Sequence, residues 1–425
     1  MNAPGATTAH PHPYLIVGAV LGYLLLMFSN PVRNSLRDGL RSIQRYSVLW
    51  VTLGFFGTAY ALFQVALRAY FHFALTAADR PELLWLREGW HDPQLWLTGS
   101  PESLWYLPPE AVSDAWHASV LPALESVAGL FNCAFSAFPL SALAALLFLF
   151  NVDGHQTVLV RALRKRLGAW SGLAYLAILL CTLAAISKPL LYVAPQLFGM
   201  QQNSTAAGLW FQWSPVVEWL AFLFEYLLGV CIQIYLILLA YCWIRGVTVN
   251  HRHLLDFAIR RFSLVVRWAA VVMVLSSVFI HLPLILKNFD AFSAIFPPVP
   301  EKIDARLLTA RSLLTAVFLA FATMQITLTF HSESLAKAVR DHLLFVKRNA
   351  WSFAWFLIIA ALHFFLLQLA QRIVLAGLGE GTAPGIAWSF IVPWLNAFVV
   401  AWLLASWVCF YRHASHARPG DWIKF

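Results

Sequence analysis

Long, uninterrupted apolar runs alternate with short basic segments along nearly the whole chain. Nine of these runs are candidate helices: 13–30, 46–70, 117–151, 168–193, 214–245, 268–286, 307–330, 350–375 and 385–411. Several exceed the roughly 20 residues that a helix needs to cross a bilayer. Because the apolar residues are continuous rather than alternating with polar ones, helices are favoured over the strands of a closed barrel. The pattern predicts an all-α, polytopic transmembrane helical bundle of about nine spans.

A short basic pattern, L-x-x-[GA]-[LIV]-R, precedes four of the spans. Its copies are 36–41 (LRDGLR), 159–164 (LVRALR), 255–260 (LDFAIR) and 335–340 (LAKAVR). Each copy follows one apolar run and leads into the next. We therefore predict an N-terminal span and four parallel two-span repeats, each beginning with a basic amphipathic interfacial helix. The predicted boundaries are 1–30 for the span, then 31–151 with a long outer insertion at 71–118, 152–246, 247–331, and 332–425 with a basic cytoplasmic tail.

The spacing within this motif predicts a helix that lies at the membrane surface. Its leucine, small residue and aliphatic residue share one face, and the arginine lies about 100° beyond the aliphatic residue, at the edge of that face. In the first copy, Leu36, Leu40 and Ile43 form the apolar stripe that we expect in the headgroup plane. An arginine at the edge can reach lipid phosphates while its stem covers apolar surface. The four residues expected to contact anionic lipid of the cytoplasmic leaflet, or a partner such as another membrane subunit, are Arg41, Arg164, Arg260 and Arg340. The alternative is that these helices only anchor the topology.

Composition and charge narrow the class of protein. The 425 residues are 60% hydrophobic and only 12% charged, whereas a soluble domain carries about 25% charged residues. The net charge of +9 is concentrated in the basic segments between spans, while 71–118 is acidic. This segregation indicates an N-terminus outside and a C-terminus in the cytoplasm, and it argues against nucleic-acid binding because no basic segment lies in a soluble domain. The five cysteines all fall in apolar runs and predict neither a disulfide framework nor a metal site.

Ionisable residues inside the predicted spans are the main candidates for a functional site. Six lie in the outer halves of their spans: Glu125, Lys188, Glu218, Glu225, His281 and Arg311. A charge at such depth costs several kcal/mol unless it is paired or hydrated, so these residues should face the bundle interior. They predict either structural pairs, such as Glu225 with His281, Lys188 or Arg311, or a hydrated outer vestibule. Four deeper polar residues are expected to form interhelical hydrogen bonds: Gln233, Gln325, His363 and Asn396.

The outer insertion 71–118 offers a weaker candidate for acid or metal chemistry. Glu88 and His91 are three residues apart, as are Asp114 and His117, and such pairs on a helix can present a carboxylate and an imidazole to one ion. The spacing is common by chance, and no HExxH or GxSxG motif accompanies it. We therefore predict no catalytic residue, metal or cofactor. A membrane enzyme acting on a lipid-linked substrate near Glu88, His91 and Asp114 is the third hypothesis for function.

The segments GLRSIQRYS and AIRRFSLVVR, each part of a basic helix before a span, carry a family resemblance. This repeated pairing of a basic helix with two spans resembles the membrane domain found beside bacterial glycerophosphodiester phosphodiesterases and its membrane-only relatives. The chain lacks a soluble phosphodiesterase domain, so the resemblance implies a multi-pass protein of the bacterial inner membrane without that activity. The leading hypothesis is a non-enzymatic scaffold or accessory component. The alternative is a transporter or channel subunit that uses Glu218 and Glu225 as substrate or proton groups.

Overall fold

The fold is helical wherever the structure describes it. The computed structural model describes 30–45, 47, 50–51, 54–55, 58, 120–132, 168–170, 216, 219–220, 223, 226, 229–230, 233–247, 251–283, 285, 300–330, 334–378 and 383–415. Of these residues, 96% are helical and none is in a strand. The all-α prediction is therefore confirmed for this part of the chain.

Eight helical segments form the framework. They are α1 (Asn30–Arg45), α2 (Leu121–Asn132), α3 (Gln233–Arg245), α4 (His251–Ser276), α5 (Pro300–Ala320), α6 (Met324–Phe330), α7 (Leu335–Leu378) and α8 (Ala383–Ala414). A π-helical turn, Ser277–His281, continues α4, and a short 3₁₀ turn covers Gly168–Trp170. Only a three-residue turn separates α5 from α6.

Within the described residues, four helical segments are long and apolar enough to cross a membrane. They are Asp256–His281, Thr309–Phe330, Leu335–Gln371 and Phe390–Ala414, and they coincide with the last four predicted spans. Predicted spans three and five are described in part, by α2 and by α3 with scattered residues before it. Predicted spans one, two and four lie largely outside the described residues. These helices establish a multi-pass, membrane-type architecture without fixing the number of spans.

Contacts between the helices show how their directions alternate. Glu125 and Arg311 are in contact, and seven residues further along each helix Asn132 contacts Phe318, so α2 and α5 run parallel. In contrast, α7 and α8 run antiparallel, since Phe345 packs on Tyr411 and His363 packs on Trp402. Both relations agree with spans that cross in alternating directions.

The helix α6 lies entirely within the core. All seven of its residues are buried, which is the pattern of a helix enclosed on every side rather than of one facing lipid. Stacked aromatic rings fill the space beside it: Phe131 lies 4.6 Å from Trp407, and Phe356 lies 4.6 Å from Phe410, between ring centroids. By contrast, α4 keeps an exposed apolar face that includes Val274 and Phe279, as expected for a helix at the lipid boundary.

Two of the predicted interfacial helices are not separate elements. In the third repeat the basic motif belongs to α4, which continues without interruption into the apolar span. In the fourth repeat α7 runs from Leu335 to Leu378 with a single bend at Asn349. The segments between these motifs and their spans contain neither glycine nor proline, so nothing in the backbone stops the helix from propagating. These two basic helices are therefore continuous with their spans, and their position in the headgroup plane stays a prediction.

The first basic helix is separate, but its buried face differs from the predicted one. The buried residues are Val32, Ser35, Gly39, Ser42 and Ile43, and they pack chiefly against α8. A Cβ atom on Gly39 would lie 2.7 Å from the backbone N of Ser406, so only glycine permits this approach. The predicted stripe residues Leu36 and Leu40 are only half-buried. Small residues, rather than leucines, thus set the contact of α1, because they let two helices approach closely.

A glycine ends α3 and separates it from α4. Gly246 has a φ of 65°, and its N–H donates to Trp243 O at 3.0 Å while Val247 N–H donates to Cys242 O at 3.1 Å. This pair of bonds is the Schellman arrangement, which requires a left-handed residue after the helix. The helix end coincides with the predicted boundary between the second and third repeats.

Candidate functional site

The repeated motif has the same burial pattern in each described copy. Its small residue is buried, as Gly39, Ala258 and Ala338. Its arginine is exposed, as Arg41, Arg260 and Arg340. The fourth arginine, Arg164, lies outside the described residues. The motif therefore turns its small residue towards the protein and its charge away from it.

The exposed arginines differ in their partners. Arg41 lies 3.8 Å from the Asp38 carboxylate, and Arg260 donates to Asp256 Oδ2 at 2.7 Å. Arg340 forms no ion pair within the part of the chain that the structure describes. Exposed pairs within one helix contribute only a few tenths of a kcal/mol, so Asp38 and Asp256 leave their arginines able to exchange partners.

Of the six intramembrane ionisable residues, the structure brings two into direct contact. Arg311 Nε donates to Glu125 Oε1 at 2.8 Å and Arg311 Nη2 donates to Oε2 at 2.6 Å, which is a bidentate ion pair. The side chains are only 10% and 18% exposed for Glu125 and Arg311 respectively. Three of the other candidates, Lys188, Glu218 and Glu225, lie outside the described residues. The sixth, His281, is half-buried at the end of the π-helical turn.

The chain between α5 and α6 contains a break in the backbone hydrogen bonding of a span. At the break, Ala322 N–H donates to Leu319 O and Met324 N–H donates to Phe321 O, three residues back instead of four. Phe318 O and Ala320 O thereby lose the donors that a continuous helix would provide. Carbonyls that are buried away from water must find other partners, because an unpaired buried polar group is costly.

Side chains from two other helices bind both of these carbonyls. Asn132 Nδ2 donates to Phe318 O at 2.5 Å, from the end of α2. His342 Nε2 lies 2.9 Å from Ala320 O, and because a carbonyl can only accept, Nε2 carries the proton. The other ring nitrogen, Nδ1, then accepts from the Thr323 hydroxyl at 2.8 Å. Asn132 and His342 thus stabilise the broken helix from both sides.

A second set of hydrogen bonds ties α6 to α8. Thr327 Oγ1 donates to Thr323 O at 3.0 Å, so the Tyr411 O–H is the donor in its 3.1 Å contact with Thr327 Oγ1. Gln325, two residues before Thr327, is fully buried, and neither its Nε2 nor its Oε1 has a hydrogen-bond partner among the residues that the structure describes. A buried amide with no partner is unusual, since burying a polar group without a compensating bond is costly.

The prediction that the deeper polar residues form interhelical hydrogen bonds is confirmed only in part. Gln233 Nε2 donates to Leu130 O at 2.6 Å, which joins α3 to the end of α2 as expected. His363 Nδ1 instead lies 2.7 Å from Ile359 O of its own helix, and Asn396 is exposed. The prediction is therefore confirmed for Gln233 and is wrong for Gln325, since a buried amide forms an interhelical bond only where a partner lies within reach.

Sequence reasoning missed His342 and the break beside it. The only sequence signal of the break was a row of hydroxyl and amide residues in an otherwise apolar run: Thr323, Gln325, Thr327 and Thr329. Such a row is unfavourable in a lipid-facing helix and favours a helix enclosed by protein.

No group of three or more metal-ligating side chains occurs among the described residues. The candidates of the outer insertion, including Glu88, His91, Asp114 and His117, lie outside them. No known protein-family model, curated protein or solved structure matches this chain.

Proposed function

We propose that the chain is a non-enzymatic integral protein of the bacterial inner membrane, a scaffold or accessory component that contacts anionic lipid through its basic helices. The proposal includes nine spans in four repeats, an N-terminus outside and a C-terminus in the cytoplasm, as the segregation of positive charge favours. One observation carries it: in each described motif copy the small residue is buried and the arginine is exposed. Exposed cations beside a membrane-crossing helix attract the negative cytoplasmic leaflet.

The test is a lipid titration of the purified full-length protein followed by native mass spectrometry. The wild type should bind phosphatidylglycerol more tightly than phosphatidylcholine. Substitution of Arg41, Arg164, Arg260 and Arg340 by Gln should reduce this preference, whereas substitution of the same four by Lys should preserve it because the charge remains. A wild-type protein without a preference for the anionic lipid would contradict the proposal.

A second candidate function is a transporter or channel subunit with a polar site inside the membrane. The broken span favours it, because interrupted helices beside buried polar groups form the binding sites of many transporters. The Glu125–Arg311 pair and the unpartnered Gln325 add polar groups to the interior. Proteoliposomes with an enclosed pH-sensitive dye test this function, with Glu225→Gln as the variant. Proton flux equal to that of protein-free vesicles would contradict proton transport, and flux unchanged in the variant would exclude Glu225 from the pathway.

A further inference from the structure

One exposed face of α7 combines cations with large apolar side chains. We call it the bend face, since it surrounds the bend at Asn349, and its members are Arg340, Leu343, Leu344, Lys347, Arg348 and Trp351. At 100° per residue, these six positions lie within about 140° of the helix circumference. Trp351 is 72% exposed and Leu343 is 52% exposed. Exposed apolar side chains beside cations form the kind of surface that lies at a membrane interface.

The length of α7 locates this face relative to the bilayer. The helix has 44 residues and is therefore about 66 Å long, whereas the hydrocarbon core is about 30 Å thick. The segment from Trp351 to Gln371 is by itself long enough to cross that core. The residues before Trp351 include all the cations of the bend face, and they lie outside the hydrocarbon. Trp351 accordingly marks the headgroup level, the depth at which tryptophans are enriched.

The backbone bends at this same level. Asn349 has non-helical angles, φ −121° and ψ 21°, and its Nδ2 donates to Phe345 O at 3.0 Å. The Asn349 side chain thus donates a hydrogen bond to the backbone where the helical conformation is interrupted. Just beyond the bend, Trp351 and Trp355 pack edge to face with 5.2 Å between their ring centroids. The bend thus separates a basic segment from the aromatic start of the span.

The cations of the bend face form no ion pair with any other described residue. Neither Lys347 nor Arg348 forms an ion pair within the described part of the chain. On α4, by contrast, Arg260 pairs with Asp256 and Arg261 lies over the Phe257 ring. Positive charges at headgroup depth without a protein counterion are complementary to lipid phosphates. Their stems also cover apolar surface beside Leu343 and Leu344.

We propose that the bend face is a headgroup site for anionic phospholipid, with Lys347 and Arg348 as its main cations and with Trp351 at the acyl boundary. This inference rests on the proposed function and adds the place where lipid is held most tightly. It also ranks the cations: Arg260 and Arg261 contact side chains of their own helix, whereas Lys347 and Arg348 form no ion pair within the described part of the chain and hold lipid more tightly.

The experiment compares two double variants of the full-length protein in the phosphatidylglycerol titration. Lys347→Gln with Arg348→Gln removes two cations from the bend face, and Arg261→Gln with Arg267→Gln removes the same charge from α4. Each cation near an anionic surface contributes about a fivefold gain in affinity, so the first variant should bind about 25-fold more weakly. The matched α4 variant should stay close to the wild type. Exchange of the two cations, Lys347→Arg with Arg348→Lys, should retain wild-type binding.

The outcomes separate this inference from the function on which it rests. One outcome would overturn the bend-face site alone: the bend-face variant binds lipid as the wild type does, while the variant of the four motif arginines loses its lipid preference. The proposed function would then stand. An equal loss of affinity for phosphatidylglycerol in both double variants would also overturn the bend-face site, because the affinity would then depend only on the total charge of the protein. A wild type without any preference for phosphatidylglycerol would overturn both proposals. Unfolding temperatures of the double variants should be close to that of the wild type, because Lys347, Arg348 and Arg267 are exposed and Arg261 is half-buried.

Discussion

The ion pair between Glu125 and Arg311 offers the sharpest test of the packing between α2 and α5. The perturbation is a double-mutant cycle with Glu125→Gln, Arg311→Gln and both together. Two hydrogen bonds of 2.8 and 2.6 Å join the partners, and neither side chain is more than 18% exposed. Each single substitution removes this ion pair and leaves the other charged group buried.

The geometry sets the size of the effect. Opposite unit charges about 4 Å apart attract each other by about 4 kcal/mol at an effective dielectric constant of 20. Breaking a buried pair by removing one partner costs about 3–5 kcal/mol, because the remaining charge stays buried. The double variant removes both charges, so it should be more stable than the sum of the single effects implies. We expect a coupling free energy of about 2–3 kcal/mol between the two positions.

The assay is reversible unfolding in mixed micelles, followed by tryptophan fluorescence. The exposed pair on α4 provides the control: Asp256→Asn breaks a 2.7 Å contact with Arg260 but should cost less than about 1 kcal/mol because water screens it. The reasoning is refuted if Glu125→Gln and Arg311→Gln each cost no more than this control and their effects add.

Three further substitutions test individual contacts by the same unfolding measurement. Gly39→Val should cost about 1–3 kcal/mol, because its side chain meets the Ser406 backbone; unchanged stability would mean that α1 can move away from α8. His342→Leu should cost about 1–3 kcal/mol, since Ala320 O then loses its side-chain donor inside the bundle, and a neutral result would contradict the role of His342 at the break. Gln325→Met should be neutral or stabilising by about 1 kcal/mol, because it removes a buried amide that has no partner among the described residues. A clear loss of stability would show that the amide binds a ligand inside the protein, and this would favour the transport function.

The sequence predicted the helical class and the positions of the last four spans because apolar length is a property of the chain alone. It also predicted that Glu125 and Arg311 lie at a similar depth, since each position can be counted from the nearest basic segment. That Glu125 is a partner of Arg311 was not predicted, and the suggested pairing of Glu225 with Arg311 lies outside the described residues. Pairing depends on which helices are neighbours, and span-by-span hydropathy carries no information about that.

The repeated basic motif also shows which features the sequence predicted and which features only the tertiary structure revealed. Its spacing correctly put the arginine of each described copy at an exposed position, as the 3.6-residue period requires. The period also grouped Leu36 with Gly39 and Leu40, but it did not reveal that Gly39 is the centre of the contact. A glycine becomes the contact point only when another backbone, here that of Ser406, lies near enough to exclude a Cβ atom.

By itself, the sequence determined a membrane-type helical protein with basic segments between spans, because hydrophobic length and charge segregation act locally along the chain. Only the tertiary structure decided where the polar interior lies. The break between α5 and α6 has no proline or glycine to mark it. It exists because Asn132 and His342, from two other helices, bind Phe318 O and Ala320 O. A backbone carbonyl freed in an apolar environment is tolerated only where a neighbour supplies the donor, and neighbours are a property of the fold.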